Sequence, residues 1–133
     1  MAKIIDLLNH KDHRGELIAL ESMRDVPFEI KRIYYLFNNS TDQTRAKHAH
    51  KNLDQLYIAV SGHCKVFVDD GKTKQTIVLD KPNVGLLFDQ PTCREISEFS
   101  EDCVLLVLAS EYFDRADYIH NYDEFIKFIS DQK

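Results

Sequence analysis

Short apolar runs, rich in β-branched and aromatic residues, alternate with turn residues along most of the chain. The turns include Ser61-Gly62, Asp70-Gly71 and Asp80-Lys81-Pro82-Asn83. Runs of this length and spacing predict strands of an antiparallel sandwich or barrel. The predicted strands are residues 16–21, 30–37, 53–60, 63–70, 74–79, 84–88, 94–99 and 103–109.

The C-terminal residues follow a helical period instead. In "DYIHNYDEFIKFIS" the apolar side chains fall on one helical face, and Asp117 is placed to cap the first turn. These apolar residues are Tyr118, Tyr122, Phe125, Ile126 and Ile129. The pattern predicts an all-β fold: one domain over residues 1–133, an antiparallel barrel at about 4–110 and one short α-helix at about 117–130.

Composition narrows the possible partners and location. A formal charge of -5, without a run of Lys or Arg, argues against nucleic acid. No apolar stretch approaches the length of a membrane span, and the N-terminus lacks the features of a signal peptide. Cys64, Cys93 and Cys103 are odd in number and lack CxxC spacing, so we expect free thiols and a cytoplasmic protein.

The segment "RAKHAHKNLD" contains the strongest candidate chemistry. On a strand, His48 and His50 share a face, which suits two metal ligands or two titratable groups lining a barrel. Clustered ionisable groups are typical of active sites. Arg45 is three residues before His48, so it faces the same way only if the strand begins irregularly.

His48, His50, Asp54 and Gly62 resemble the first motif of the cupin superfamily, with Asp in place of the usual Glu. The second motif resembles "KPNVGLLFDQPTCREISEF", but Arg94 stands where a third histidine ligand belongs. A permanent cation there disfavours a metal. Cys93 faces away from Arg94 on alternation, and a three-residue site using Asp54 remains the alternative. We therefore expect no metal.

The chain resembles, from about Ile4 to Ile129, the family of dTDP-4-keto-6-deoxyglucose 3,4-ketoisomerases. The segments that carry this resemblance are "IKRIYYLFN", "RAKHAHKNLDQLYIAVSG", "VFVDDG" and "VLASEYFDRADYIHNYDEF". It implies a jelly-roll-like cupin barrel without metal or other cofactor, a homodimer, and a pathway to surface polysaccharides. The substrate would be dTDP-4-keto-6-deoxyglucose and the product a 3-keto sugar, passed to a PLP-dependent aminotransferase.

The reaction needs a base whose pKa lies near working pH, which histidine supplies. The resemblance places His48 and His50 at the sugar. We assign the base to His50 and proton relay or oxyanion stabilisation to His48, although spacing does not rank them. Tyr34 is a third catalytic candidate, because it shares a strand face with Arg32, whereas Tyr35 and Phe37 face outward.

Arginine is suited to binding the pyrophosphate of a nucleotide sugar because its guanidinium donates forked hydrogen bonds. The candidates are Arg45 and Arg32, with Arg94 expected on the opposite wall of the barrel. Arg14 matches a turn near the sugar in the family.

Two other functions remain open. The first is a related cupin 3- or 3,5-epimerase that uses the same base but reprotonates a different carbon. The second is a non-catalytic cupin that binds sugar nucleotides, which would not need a same-face pair of titratable side chains. The sequence leaves the configuration of the product at C4 open.

Overall fold

Two five-stranded antiparallel sheets face each other as the walls of a flattened barrel. A computed structural model describes residues 2–132. Its strands are β1 (Lys3–Asp6), β2 (His10–Asp12), β3 (Gly15–Leu17), β4 (Arg32–Leu36), β5 (Arg45–His50), β6 (Gln55–Ser61), β7 (Cys64–Asp69), β8 (Lys74–Leu79), β9 (Val84–Phe88), β10 (Cys93–Ser97), β11 (Val104–Ala109) and β12 (Tyr118–Ile119). A 3-10 turn spans Arg115–Asp117, and helix α1 spans Tyr122–Asp131.

The first sheet has the order β1-β9-β6-β11-β4 and the second has the order β12-β5-β10-β7-β8, while β2 and β3 form a separate hairpin. The predicted antiparallel barrel with one C-terminal helix is therefore confirmed. Within residues 2–132, no helix has the length and apolarity needed to cross a membrane.

Strand alternation explains where the core lies. Tyr57 on β6 and Phe88 on β9 face inward, where the main core also contains Val66 of the opposite sheet. Their neighbours Leu56 and Leu87 face outward into a second apolar cluster. Residues 18–30 lie over that outer face and contribute Val26 and Phe28 to it, so β6 and β9 are buried on both sides.

The turn after β6 requires a glycine. Gly62 has φ +64°, and a Cβ there would lie 2.8 Å from the backbone nitrogen of Cys103. Cys64 and Cys103 are buried, and all three cysteines are free thiols, as the sequence predicts.

Several predicted boundaries are wrong. The predicted strand at 16–21 ends at Leu17, because residues 18–30 form the irregular cover over the first sheet. The short strands β1, β2 and β12 were not predicted, since two to four residues are too few to show alternation.

The helix begins at Tyr122 rather than near 117, and its N-cap is Asn121, whose side chain accepts a hydrogen bond from the Glu124 amide at 3.1 Å. Asp117 is therefore not the cap. Phe125 is fully buried, and it packs with Ile126 and Ile129 against Ala49 of β5. The predicted apolar face is therefore confirmed for these three helix residues.

Candidate active site

Strand β5 places the two histidines side by side on the inner face of the second sheet. The ring centroids of His48 and His50 lie 4.7 Å apart at an interplanar angle of 87°. Ala49 between them faces the opposite way, into the cluster beneath α1. The shared face predicted by alternation is confirmed.

A β-bulge at the start of β5 brings Arg45 to the same side as His48. Arg94 of β10 pairs with His48, but Ile96 pairs with Arg45, so β5 has one extra residue over this interval. Ala46 has φ +60° within the bulge. The extra residue reverses the parity of the strand, and Arg45 and His48 line one cavity.

Two neighbouring cavities contain the predicted site residues. The first, of about 410 Å³, is lined by residues that include Arg32, Tyr34, Arg45, His48, Tyr57 and Tyr118. The second, of about 620 Å³, is lined by residues that include Arg32, His50, Lys51, Phe113, Asp117 and Tyr118. Because Arg32, Phe113 and Tyr118 line both, the two cavities are lobes of one depression at the barrel mouth.

Residues 110–121, here called the strap, close one side of this depression. The Tyr118 ring lies 4.9 Å from the His48 ring and 4.3 Å from the His50 ring, between centroids. β12 holds this ring in place because Tyr118 pairs directly with His50 in the sheet.

The strap also supplies a carboxylate to His50. Nδ1 of His50 lies 2.9 Å from Oδ2 of Asp117, whose Oδ1 accepts a hydrogen bond from the Asn52 amide at 2.7 Å. A carboxylate accepts only, so a neutral His50 donates from Nδ1 and keeps a lone pair on Nε2. The Nε2 atoms of both histidines are buried, and neither has a hydrogen-bond partner within residues 2–132.

Both rings are held neutral. Burial, followed by the charges of His50 and Arg94, lowers the pKa of His48 to about 3. Burial, followed by the charges of Arg94 and Arg32, lowers the pKa of His50 to about 3. At neutral pH each ring therefore carries an unprotonated nitrogen.

Strand β4 positions Arg32 and Tyr34 as predicted. Both are half-buried and line the 410 Å³ cavity. The guanidinium carbon of Arg32 lies 5.3 Å from the centroid of the Tyr34 ring and 5.7 Å from that of Phe113. Burial raises the pKa of the Tyr34 hydroxyl, so it is protonated at neutral pH. Ile33, Tyr35 and Phe37 face outward and are 57–60% exposed.

Arg94 lies only partly where it was predicted. It is on β10, in the sheet opposite Arg32, as predicted, but β10 pairs with β5, so Arg94 shares a sheet with Arg45. The side chain is 2% exposed, and all three guanidinium nitrogens donate within the protein, to the carbonyl of Thr92 and to the side-chain oxygen of Gln55. Its guanidinium carbon also lies 4.0 Å from the centroid of the Phe88 ring. An arginine engaged in this way does not fit a pyrophosphate anchor.

Arg14 lies in the β2–β3 hairpin, paired with Asp12 at 2.7 Å, and lines neither cavity at the barrel mouth. Asp54, the acid of the cupin motif, also lines neither. Within residues 2–132, no three His, Cys, Asp or Glu side chains are grouped so that they could hold a metal ion.

Sequence reasoning missed three site residues: Asp117, Gln55 and Tyr118. Asp117 has the pattern of a helix cap, and Tyr118 that of an apolar helical face. Gln55 carries no signal in a strand pattern. A covering strap and a buried amide are set by tertiary contacts, which local periodicity does not encode.

Comparison with known proteins shows the family of this chain. The model of the family described as "FdtA: WxcM-like, C-terminal" matches residues 1–130. The TDP-4-oxo-6-deoxy-alpha-D-glucose-3,4-oxoisomerase of Aneurinibacillus thermoaerophilus is 44% identical over 128 residues, which cover 96% of this chain and 92% of that protein.

Solved structures of similar proteins give the same result. The TDP-quinovose 3,4-ketoisomerase WlaRB from Campylobacter jejuni is 48% identical with a TM-score of 0.92, covering 95% of this chain and 97% of its own. The sugar 3,4-ketoisomerase QdtA from Thermoanaerobacterium thermosaccharolyticum, in complex with TDP, is 40% identical with a TM-score of 0.94. The match covers 98% of this chain and 96% of QdtA. A His-to-Asn variant of QdtA is known in complex with TDP-4-keto-6-deoxyglucose. On these matches, which extend over nearly the whole chain, this protein belongs to the FdtA family of dTDP-4-keto-6-deoxyglucose 3,4-ketoisomerases.

Proposed function

We propose that this sugar 3,4-ketoisomerase moves the carbonyl of dTDP-4-keto-6-deoxyglucose from C4 to C3 by proton transfers at His50 and His48. The observation that supports this most strongly is geometric: two imidazoles lie side by side at the barrel mouth with unpartnered Nε2 atoms, and Nδ1 of His50 contacts Asp117. The relatives named for this reaction, and the complex of one of them with this sugar nucleotide, support the choice of substrate.

The reaction balances without an external oxidant or reductant. A base removes the proton at C3, an enediolate forms, and a proton is added at C4. The hydroxyl proton of O3 is lost and O4 gains one, so the ketone ends at C3. This product carries the carbonyl that a PLP-dependent aminotransferase needs to introduce nitrogen at C3, and we propose such an enzyme as its consumer.

His50 is the base in this proposal. Asp117 accepts its Nδ1 proton, which leaves Nε2 as the proton acceptor, and the carboxylate stabilises the imidazolium formed after proton removal. Within residues 2–132, His48 has no such carboxylate partner. Its ring centroid lies 4.7 Å from that of His50, close enough to relay a proton or to support the oxyanion. Tyr34 is the third catalytic residue, a hydroxyl donor in the cavity that His48 lines.

Arg45 and Arg32 bind the pyrophosphate in this proposal, because both line the cavity beside His48. Arg94 is omitted as an anchor because its nitrogens are engaged within the barrel. Arg14 is omitted because its hairpin lies away from both lobes.

The reaction can be tested by incubating the protein with dTDP-4-keto-6-deoxyglucose in deuterium oxide and examining the products by NMR. A ketone at C3 with deuterium at C4 is the expected result. Deuterium at C3 or C5 with the ketone still at C4 would instead show an epimerase. Absence of both deuterium and carbonyl migration would indicate a protein that only binds the nucleotide.

Turnover in this proposal needs no metal. We expect the rate to be unchanged after treatment with a chelator and dialysis. A rate that disappears with the chelator and returns with a divalent ion would contradict the metal-free mechanism.

We also propose a homodimer that buries the outer face of β4. This strand is an edge of the first sheet, and Ile33, Tyr35 and Phe37 expose 59%, 60% and 57% of their surface. An exposed apolar edge strand is ordinarily covered, and two-fold dimers are the commonest closed assembly.

We expect twice the chain mass of 15.5 kDa in solution at micromolar concentration. A Tyr35→Lys variant should shift toward the monomer, and a wild-type mass of one chain would refute the dimer.

A further inference from the structure

Gln55 is a buried amide that connects the two sheets behind the catalytic cavity. It is the first residue of β6, in the first sheet, and is 0% exposed. Its Nε2 donates to the hydroxyl oxygen of Tyr34 at 3.1 Å, and its Oε1 accepts from Nη1 of Arg94 in the second sheet. Neither the cupin motifs nor the catalytic proposal above uses this residue.

The chemistry of the partners fixes the direction of this chain of hydrogen bonds. Arginine donates and does not accept, so the amide oxygen of Gln55 must face Arg94 and its NH₂ must face Tyr34. Arg94 is itself held by the Thr92 carbonyl, with donor–acceptor distances of 3.1 and 3.3 Å, and by the ring of Phe88. The orientation of the amide is therefore set by buried groups of the barrel wall.

The Tyr34 oxygen consequently accepts a hydrogen bond from Gln55, on the side that faces away from the cavity. Its own proton cannot point toward the Gln55 NH₂ group, and Gln55 is its hydrogen-bond partner within residues 2–132. The ring lines the cavity that His48 and Arg45 also line. A hydroxyl that accepts on its inner side is left to donate into that cavity.

We propose that Gln55 is a positioning residue which, held by Arg94, directs the hydroxyl proton of Tyr34 toward the sugar oxygen that becomes negative in the enediolate. This inference rests on the proposed ketoisomerase mechanism and adds two residues to it. It also gives the buried Arg94 a role, which is to fix the orientation of the Gln55 amide. Donors aimed in advance at a developing oxyanion typically contribute about 10²–10³-fold to turnover.

The sharpest test is Gln55→Glu, which keeps size and shape. A carboxylate accepts from Arg94 as the amide oxygen does, but it also accepts from Tyr34 and so turns the hydroxyl proton away from the cavity. We expect kcat to fall by at least about 10-fold, toward the value of Tyr34→Phe, with little change in the Kd for TDP. In the Gln55→Glu/Tyr34→Phe double variant kcat should fall no further than in Tyr34→Phe alone.

The matched control is Gln75→Glu, the same change at an exposed position of β8, which should leave kcat unchanged. Wild-type kcat in Gln55→Glu, or a double variant whose loss equals the product of the single losses, would overturn the inference. Should Gln55→Glu not fold, as judged by thermal unfolding, Gln55→Met removes both hydrogen bonds without adding charge. The Gln55→Met/Tyr34→Phe double variant is then compared with Tyr34→Phe alone. A kcat loss equal to the product of the two single losses would again overturn the inference. Failure of the proposed function is separate: it would appear as a wild-type protein that does not convert the 4-keto sugar.

Discussion

His48 and His50 lie on one face of β5, His48 half-buried and His50 buried, and one contact distinguishes their chemistry. Among residues 2–132, a carboxylate lies against Nδ1 of His50 and not of His48, and that carboxylate accepts a hydrogen bond from the Asn52 amide. The contact selects one tautomer and stabilises positive charge as it forms, which a base requires. The structure thus supports an order between two residues that strand spacing leaves equal.

Replacing either histidine by asparagine tests this order. His50→Asn removes the titratable nitrogen, so we expect kcat to fall by at least about 10²-fold, with little change in the Kd for TDP. His48→Asn should lose less. Steady-state kinetics and calorimetric titration with TDP measure both effects. Near-normal turnover in both variants would refute the assignment, and a larger loss in His48→Asn would exchange the two roles.

Asp117→Asn tests the carboxylate separately from the ring. An amide can present either a donor or an acceptor to His50, so the productive tautomer is no longer enforced. We expect kcat to fall by about 10-fold or more, since removing an outer partner that orients an active-site histidine has at least this effect in many enzymes. Asp123→Asn removes the same charge from an exposed position on α1 and should retain full activity. Equal kcat in the two variants would contradict a role for Asp117.

At the level of secondary structure, β5 and the strap show what a sequence can and cannot predict. Alternation correctly places His48 with His50 and Arg32 with Tyr34, because these pairs lie within regular strand. It does not locate the bulge at Ala46, since no glycine or proline marks it. It misses Asp117 and Gln55 because their partners lie 67 and 39 residues away along the chain, in His50 and Arg94. The polar contacts that complete this site are long-range.

The bulge makes a prediction about binding. Because it turns Arg45 into the cavity, Arg45→Ala should weaken TDP binding by about 1.5–3 kcal/mol, the usual contribution of a hydrogen bond to a charged group. The control is Lys47→Ala, on the opposite face of the same strand, where the lysine lies 3.4 Å from Glu95. Titration calorimetry with TDP measures both. An equal effect of the two substitutions would indicate general electrostatic attraction rather than a specific contact.

At the level of the whole molecule, burying two neutral histidines couples stability to pH. Unfolded histidines titrate near pH 6.5, whereas the folded pKa values are about 3, so between these limits the unfolded chain binds more protons. The free energy of unfolding must therefore fall as pH decreases through this window. Carboxylates whose folded pKa is lowered, such as Asp12 and Asp70, contribute near and below pH 4.

We expect the free energy of unfolding to decrease between pH 6.5 and 4.5 by up to about 1.4 kcal/mol per pH unit for each histidine. Urea unfolding at several pH values measures this slope. In the His48→Asn/His50→Asn double variant the slope should be much shallower, because neither side chain titrates. An unchanged slope would show that other groups dominate.

The extra residue in β5 also changes what an insertion or deletion would do. Because of the bulge, Arg45 and His48, which are three positions apart, point to the same face, as residues two positions apart do in a regular strand. Removing Ala46 would straighten the strand and still leave Arg45 facing the cavity. A sequence with Arg-x-His in regular strand and a sequence with Arg-x-x-His across a bulge would therefore present the same cation beside the histidine that corresponds to His48. An alignment that penalises this one-residue gap would separate sequences whose sites are equivalent.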